Sequence, residues 1–377
     1  MMNTRLNSQT YFENLDATRF LGFLHVFLAH CFFTTSSAVK ESPPFHFVNV
    51  SIKAGFLGLD YFFVLSAFLL TWLALDERRK TGRFHAVFFM MRRAIRLWPL
   101  YLLLVLGLYS IHALFENQFD WNALPPLRSF LLFYANYYII EHGQNFLFLL
   151  VFFWSIAVEE QFYLFWAFVL KFLHHYIIWI CFGLIVISIV FRALYIHENE
   201  HLAFNTLSIA GNFGMGSLVA VLAYRSPNFR AIFAKRSRAF YALIYLIGLL
   251  LLLNYFSWFN QGFMLVIEKL VFSIVFVVFI MEQCFAEKPL IAFRQFKSMT
   301  YLGQLSLGLY CYHGVVLTFM APMLKTWGLA ERPFQVFFLN PLIIMFLTLL
   351  LAVFSYEIFE KKVHNLRRFF YPKIAPK

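Results

Sequence analysis

Long apolar stretches separated by short polar segments occupy almost the whole chain. Ten of them approach the ~20 residues that a helix needs to cross the apolar core of a bilayer, and they lie near 18–36, 54–75, 96–115, 147–170, 176–196, 206–223, 239–258, 262–281, 301–323 and 336–358. A further apolar piece, 127–140, is short and follows Pro125-Pro126. The pattern predicts an all-α polytopic membrane protein with about ten transmembrane helices. In it, 127–140 is an interfacial or re-entrant segment, or else an eleventh span.

The basic residues predict the orientation of these spans. With the N-terminus inside, 24 of the 31 Lys and Arg residues fall in inner segments, five in outer loops and two within spans. Because basic residues concentrate on the cytoplasmic side, we predict cytoplasmic N- and C-termini, with short tails at about 1–14 and 361–377. A full crossing by 127–140 would invert every later loop, which favours the re-entrant alternative. No linker or repeat divides the chain, so one domain is predicted over 1–377.

Composition supports a membrane protein and argues against other classes. Hydrophobic residues make up 61% of the chain and charged residues 13%, whereas a soluble protein is about half apolar and about a quarter charged. The net charge of +12 is explained by basic cytoplasmic loops, so no nucleic-acid partner is expected. The four cysteines show neither a CxxC pair nor a Cys/His ligand spacing, so we expect no metal site and no disulfide framework.

Polar side chains inside the predicted spans are candidates for function, because they are costly in a bilayer. Arg19 and His30 are eleven residues apart, so they share one helix face about 16 Å apart along the axis. This stripe indicates a site reached from one side of the membrane. The alternative is an interfacial anchor plus a histidine bonded to a neighbouring helix. His25 lies about 140° around the helix from His30 and is expected to pack.

Two further spans carry polar groups on one face. Glu159 and Tyr163 are four residues apart in the stretch WSIAVEEQFY and share a face. The alternative is a buried carboxylate paired with Arg or Lys of another helix. Ser306, Tyr310 and His313 follow a 0, 4, 7 spacing in SLGLYCYH. The alternative for these three is polar contact between helices, which hydroxyl residues commonly supply in membranes.

Arginines cluster where the third span begins. Arg92 and Arg96 are four residues apart, and Arg93 and Arg96 three apart, so one end of a helix would carry all three. Arginine forks suit phosphate groups better than lysine does, which indicates an anion-binding site. The alternative is that these residues only keep the loop on the inner side.

The second span contains a carboxylate, Asp60, close to its predicted outer end. Gly55 and Gly58 would let another backbone approach closely at that point. The alternative is a carboxylate near enough to the interface to be hydrated. Arg192 and the Glu268-Lys269 pair also lie inside predicted spans and could pair with the carboxylates of other helices.

Together, these residues resemble the acyltransferase-3 family of integral membrane O-acyltransferases, which modify bacterial surface glycans. The similarity extends from about Leu15 to Glu360, nearly the whole chain. One family pattern, G-x-x-G-x-D-x-FF-V-L-S-G-F, is matched with Ala67 in place of glycine. The other matching positions are Leu15, Asp16, Arg19 and His30; Arg92, Arg93, Arg96 and Pro99, with Leu97 for isoleucine; Glu159 in WS-x-x-x-E-x-x-FY; Ser306, Tyr310 and His313; and Glu360.

The resemblance implies transfer of an acyl group, by default acetyl, from cytoplasmic acyl-CoA to a hydroxyl of a cell-surface or lipid-linked glycan, such as lipopolysaccharide, at the bacterial inner membrane. The donor phosphates are expected at Arg19, Arg92, Arg93 and Arg96. We expect His30 to act as general base, Glu159 to orient an imidazole or a sugar hydroxyl, Tyr310 or His313 to donate to the oxyanion, and Asp60 and Ser306 to bind the acceptor. Some relatives add a C-terminal hydrolase-like domain. Here the reaction is expected in the membrane domain or with a separate partner.

Two other functions remain as alternatives. An ion-coupled transporter would also carry buried Arg, Glu, Lys and His, but the pair of broken helices expected in matching halves is not recognisable. A non-catalytic scaffold for glycan assembly is the second alternative. Acyl transfer by the purified protein separates the enzyme from both. Oligomeric state is not predicted.

Overall fold

Helices and their connections make up the described part of the chain. The computed structural model describes residues 12–52, 54–115, 124–259 and 261–371, with only the backbone of Phe115, and it holds no strand within these ranges. Each predicted span contains one main helix. These are α1 Glu13–Cys31, α2 Phe56–Thr81, α3 Ala86–Phe115, α4 Trp154–Phe172, α5 Ile177–Leu194, α6 Thr206–Arg225, α7 Arg238–Leu253, α8 Gly262–Phe285, α9 Ser306–Thr326 and α10 Asn340–Ser355.

Shorter helical segments connect the main helices. Before α2 lie Ser37–Lys40, Pro43–Phe47 and the π-turn Val48–Ile52. Between α3 and α4 lie Leu127–Leu131, Ala135–His142 and Phe148–Phe152, and His174–Tyr176 lies between α4 and α5. Asn199–Phe204 lies between α5 and α6, and Pro227–Ala234 between α6 and α7. The remaining segments are Tyr255–Trp258, Phe293–Gln295, Lys297–Gln304, Gln335–Leu339, Tyr356–Glu360, Lys361–His364 and Asn365–Phe370.

The predicted number of about ten spans is not confirmed. Among the described residues, eight helical segments are long and apolar enough to cross a membrane, or nine when Pro227–Ala234 and α7, bent by 84°, form one span. The helix outside this set is α1, because its polar residues lower its mean hydropathy. α1 nevertheless lies within the bundle, where Leu15, Phe23, Val26 and Phe27 are almost fully buried.

The segment 127–140 does not cross the bundle as a single helix. It consists of Leu127–Leu131 and Ala135–His142, and the latter would extend only about 12 Å. Phe133 separates the two with a left-handed φ of 52°. Gln161 of α4 donates hydrogen bonds to the Phe133 carbonyl (2.7 Å) and to Asn136 Oδ1 (2.9 Å). Non-helical backbone at membrane depth needs such partners, and the predicted interfacial or re-entrant position of this segment stays a prediction.

Glycines bring the helices that surround the site into close contact. A Cβ on Gly58 of α2 would lie 2.6 Å from the Gly22 carbonyl oxygen of α1, so the predicted close approach at this glycine is confirmed. Gly216 of α6 faces Ala67 of α2, the position at which the family pattern has glycine. A Cβ on Gly216 would lie 2.2 Å from the Val64 carbonyl oxygen and 3.1 Å from the Ala67 Cβ. The missing glycine on one helix is thus offset by a glycine on its neighbour.

Four charged side chains inside the predicted spans form two ion pairs. Lys269 Nζ of α8 lies 3.0 and 2.8 Å from the two carboxylate oxygens of Asp60 on α2. Arg192 of α5 pairs with Glu268 of α8 at 2.7 Å. Asp60 is only 1% exposed, so the alternative of a hydrated interfacial carboxylate is wrong, and the predicted pairing is confirmed. These pairs connect three helices that the sequence separates widely.

Candidate active site

Three cavities follow one another along α1. The first, here the basic cavity, has a volume of about 550 Å³ and is lined by Leu15, Asp16 and Arg19 of α1. The second, the central cavity, measures about 110 Å³ and shares Arg19 with the first. The third, the histidine cavity, measures about 610 Å³ and is lined by His30. Leu59 of α2 lines both the second and the third, so neighbouring cavities share lining residues and the smallest lies in the middle.

The predicted Arg19–His30 stripe therefore faces three neighbouring cavities. Arg19 lies where the basic and central cavities meet, and its guanidinium pairs with Asp16 one turn earlier. His30 lies in the last turn of the same helix. Phe12 and Tyr371, the first and last described residues, both line the basic cavity. The described chain thus begins and ends at the arginine end of these cavities.

The basic cavity carries an excess of positive charge. Six cationic side chains line it against three carboxylates: Arg19, Lys80, Arg92, Arg93, Arg96 and Arg367 against Asp16, Asp76 and Glu77. The predicted clustering of the three arginines at the start of α3 is confirmed, although α3 itself begins earlier, at Ala86. Arg93 and Arg96 also line the central cavity. Arg93 Nε is buried without a hydrogen-bond partner among the described residues.

Arg92 differs from the other two arginines of its cluster because its guanidinium is already occupied. One nitrogen lies 2.6 Å from Glu77 Oε2, and the other donates to the Phe370 carbonyl oxygen at 2.6 Å. The guanidinium also lies over the Tyr371 ring, 5.1 Å from its centre. Arg92 is 7% exposed. These contacts correct its expected role: Arg92 holds protein groups, so it is a poor candidate for binding donor phosphates directly.

The central cavity brings together the predicted groups of α4 and α9. Glu159 accepts hydrogen bonds from the Tyr163 hydroxyl (2.7 Å) and from Ser66 Oγ of α2 (3.3 Å). The predicted shared face of Glu159 and Tyr163 is therefore confirmed. Ser306 and Tyr310 line the same cavity. With these partners the Glu159 carboxylate lines the same cavity as Arg93 and Arg96, and its role in orienting an imidazole or a sugar hydroxyl stays a prediction.

The Tyr310 hydroxyl is part of a small hydrogen-bond network beside the central cavity. It donates to the Phe152 carbonyl oxygen (2.9 Å) and lies 2.8 Å from Ser155 Oγ. Ser155 Oγ also lies 3.2 Å from the same carbonyl. The carbonyl would therefore keep a donor if the Tyr310 hydroxyl turned towards the cavity. A hydroxyl hydrogen rotates easily to suit its acceptors.

His30 presents one defined nitrogen for chemistry. Its Nδ1 lies 2.7 Å from the Val26 carbonyl oxygen one turn earlier. A carbonyl can only accept, so Nδ1 carries the hydrogen in the neutral ring, and Nε2 is the basic nitrogen. The rings of Phe148 and Phe152 pack against the imidazole with centroids 5.7 and 5.1 Å away. These contacts fix the orientation of the ring.

His313 lies next to His30 but does not line any of the three cavities. Its ring is fully buried, 6.0 Å from the His30 ring and 4.4 Å from the Phe152 ring. Its Nδ1 donates to the Tyr310 carbonyl oxygen, and its Nε2 has no partner among the described residues. In this neutral tautomer Nε2 can only accept. The expectation that His313 donates to an oxyanion therefore does not fit its geometry.

The histidine cavity combines aromatic walls with balanced charge. Its lining includes the rings of Phe56, Phe148, Phe152, Trp154, Phe204, Tyr255, Phe256 and Phe259. Asp60, Arg192, Glu268 and Lys269 also line it, and they are the two ion pairs described above. The sequence indicated Asp60, but it gave no role to the other three or to Phe152. The only signal for the charged residues was their position inside apolar spans.

The geometry defines an integral membrane protein in which neighbouring cavities extend from an arginine-rich end to the half-buried His30. The chain belongs to the acyltransferase-3 family, since the family model described as an acyltransferase domain matches residues 12–357. It is similar to the peptidoglycan O-acetyltransferase OatA of Listeria monocytogenes, at 24% identity over 86% of this chain and 52% of the relative. It is also similar to the O-acetyltransferase OatA of Staphylococcus aureus, at 26% identity over 83% of this chain and 53% of the relative.

The chain spans about half the length of these curated relatives. No solved structure matches it.

Proposed function

We propose that this chain transfers an acetyl group from acetyl-CoA to a hydroxyl of a bacterial surface glycan, and that the basic end faces the cytoplasm of the inner membrane. The observation that carries the proposal is the path of three cavities. It has an anion-binding end of about 550 Å³, a middle of about 110 Å³ and a histidine end of about 610 Å³. A narrow middle admits a slender thioester arm but neither a nucleotide nor a sugar.

The donor phosphates bind at the basic end in this proposal. Arg19, Arg93 and Arg96 line both the basic and the central cavity, so they lie where the nucleotide ends and the arm begins. Arginine–phosphate pairs are charge-assisted and often bidentate. The arm then extends along α1 towards His30, and the acetyl group comes to lie near Leu59 and Phe152.

The chemical step uses His30 Nε2 as general base. The nitrogen accepts the proton of the acceptor hydroxyl, and the oxygen attacks the thioester carbonyl carbon. The tetrahedral intermediate collapses with cleavage of the C–S bond, and the leaving thiolate takes a proton from the imidazolium. The resulting ester and free CoA balance the reaction. Such proton transfer typically contributes about 10²–10⁴ in rate.

Three hydroxyl and carboxyl groups assist from the central cavity. Tyr310 donates to the developing oxyanion after turning from the Phe152 carbonyl, which Ser155 then satisfies. Glu159, held by Tyr163 and Ser66, holds an arginine of the donor site in place. Ser306 contacts the arm. His313, whose ring packs at an angle against those of His30 and Phe152, supports the orientation of the base.

The acceptor binds in the histidine cavity. Its aromatic walls suit the apolar faces of a sugar ring, and its charged groups are paired with one another, which suits a neutral acceptor. The Listeria monocytogenes relative is a peptidoglycan O-acetyltransferase. A glycan or lipid-linked saccharide is therefore the proposed acceptor class, with membrane lipid as the surrounding medium.

The test compares surface glycans from a deletion strain that carries the wild-type gene or an empty vector. Mass spectrometry should show an acetyl-sized difference per modified sugar. The purified protein in phosphatidylcholine nanodiscs should also release CoA thiol from acetyl-CoA when the isolated glycan is added. Identical glycans together with no thiol release would overturn the proposal. Solute uptake by proteoliposomes without thiol release would identify a transporter instead.

A further inference from the structure

The C-terminal segment Lys361–Tyr371 folds beneath the basic cavity and forms part of its wall. It consists of Lys361–His364 and the 3₁₀ turn Asn365–Phe370. Arg367 and Tyr371 line the cavity beside Arg93 and Arg96. The segment follows the last predicted span. From the sequence, its basic residues are expected only to keep this tail on the cytoplasmic side. Its position in the structure is that of a binding element.

Several contacts fasten this segment to α2 and α3. Arg92 donates to the Phe370 carbonyl oxygen (2.6 Å) and lies over the Tyr371 ring. Glu77 holds Arg92 at 2.6 Å and also accepts the backbone N–H of His85 at 2.8 Å. The Phe370 ring contacts Phe88, with centroids 6.0 Å apart. A buried arginine thus links the start of α3 to the end of the described chain.

The same segment directs Arg367 into the cavity. Arg367 Nε donates to the His364 carbonyl oxygen at 3.0 Å, and His364 Nε2 lies 3.4 Å from the Arg96 carbonyl oxygen. Arg367 is half-buried, while its neighbour Arg368 is exposed and lies over the ring of Phe369. Two adjacent arginines of equal charge therefore differ in whether they line the cavity.

We infer that Arg367 is a fourth phosphate-binding arginine of the donor site, and that Arg92 acts as the positioning residue that holds Arg367 in place. This inference rests on the proposed use of acyl-CoA. The ligand group is a phosphate ester next to a thioester arm. In the proposed function Arg19, Arg93 and Arg96 already surround this phosphate group. Arg92 does not touch the donor. It fixes the segment through Glu77, Phe370 and Tyr371.

The test measures initial rates against acetyl-CoA concentration for the full chain in phosphatidylcholine nanodiscs. Arg367→Gln should raise the donor KM about ten-fold, the effect of losing one charge-assisted hydrogen bond, while kcat changes little. Arg368→Gln is the matched control and should behave like wild type. With S-acetylpantetheine, which lacks every phosphate, Arg367→Gln and wild type should be equal. Equal acetyl-CoA KM values for the Arg367 and Arg368 variants would overturn the inference.

The positioning role of Arg92 is tested by non-additivity. Arg92→Gln is combined with Glu77→Gln so that no buried carboxylate is left unpaired. This double variant should raise the donor KM, and adding Arg367→Gln should raise it no further, because both changes remove the same contact. Independent, additive effects would contradict the positioning role. Size-exclusion profiles and thermal unfolding show whether each variant is folded.

Binding of adenosine 3′,5′-bisphosphate, measured by calorimetry, separates failure of this inference from failure of the proposed function. If wild type transfers no acetyl group, the proposed function fails, and weaker binding of the bisphosphate by Arg367→Gln than by Arg368→Gln still supports the phosphate site. The last measurement uses phosphatidylglycerol nanodiscs to test whether Arg367 binds anionic lipid. If only anionic lipid, and not the bisphosphate, distinguishes the two variants, Arg367 binds lipid headgroups and the inference is wrong.

Discussion

The basic cavity and the histidine cavity are similar in volume but use charge in opposite ways. In the basic cavity six cations face three carboxylates, and Arg93 Nε has no partner among the described residues. In the histidine cavity two cations and two carboxylates pair with one another. Unbalanced positive charge attracts an anion, whereas paired charges mainly hold helices together. This difference in charge supports the proposal that the donor phosphates bind at one end and a neutral acceptor at the other.

Replacing His30 by Ala should have the largest effect, because it removes the base from the histidine cavity. Acetyl transfer should fall about 10²–10⁴-fold, while the donor KM, set at the other end, stays within about two-fold. Initial rates in nanodiscs and glycan mass spectrometry measure both quantities. His25→Ala is the matched control on the same helix and should retain activity. Normal rates with His30→Ala would show that the chemical step does not depend on the base in this cavity.

Breaking the Asp60–Lys269 pair should cost stability in the histidine half. Asp60→Asn or Lys269→Met alone leaves a buried charge without its partner, which costs about 3–5 kcal/mol. The double variant removes both charges and should recover most of that loss. Thermal unfolding in detergent measures the three proteins. If the double variant is as unstable as the sum of the single variants, the charges have separate partners and the balanced-charge account fails. Activity of a stable double variant would show whether Asp60 also contacts the acceptor.

Removing Arg93 and Arg96 together should weaken donor use without unfolding the protein. Each charge-assisted hydrogen bond contributes about 1.5–3 kcal/mol, so the double Gln variant, which loses two, should raise the acetyl-CoA KM by at least about 100-fold. The acceptor KM should not change. The measurement is a two-substrate rate matrix. An unchanged donor KM would mean that these arginines only set topology, and the two ends would then not differ in function.

The glycine contact beside the central cavity predicts a smaller change in stability. Gly216→Ala places a Cβ 2.2 Å from the Val64 carbonyl oxygen, and overpacking of this kind costs about 1–3 kcal/mol. Ala67→Gly restores the family pattern and removes a methyl group, at a helix cost of about 1 kcal/mol. Thermal unfolding should rank Gly216→Ala as the less stable. The reverse order would show that the two helices do not meet at this point.

The sequence predicted the positions of the helices and the face that carries Arg19 and His30, because helical periodicity and apolar length are local properties. It also placed Arg93 and Arg96 together. It did not predict the task of Arg92, since its partners are Glu77 and the backbone carbonyl of Phe370, 278 residues away. A hydrogen bond to a backbone carbonyl does not depend on the side chain of the accepting residue, so only the fold reveals it.

The sequence also did not predict that Tyr310 and His313 of α9 have different roles. Ser306, Tyr310 and His313 share a face, as the 0, 4, 7 spacing predicts, and the Phe152 ring contacts both the Tyr310 and the His30 rings. Tyr310 lines the central cavity, while His313 packs behind the base. Phe152 comes from a five-residue helix, Phe148–Phe152, which the sequence merges with the following span. Which groups share a cavity depends on such long-range contacts.

Ionic strength should produce the smallest effect and should act on one end only. Mobile ions screen charges over about 10 Å at 0.1 M salt and about 3 Å at 1 M, so the unbalanced charge of the basic cavity should attract a polyanion less as salt is added. We expect the acetyl-CoA KM to rise roughly three-fold over that range, while the acceptor KM and the S-acetylpantetheine KM stay constant. Initial rates at several chloride concentrations measure all three. An equal rise for the uncharged donor would trace the effect to general destabilisation, and the contrast in charge between the two cavities would then have no functional consequence.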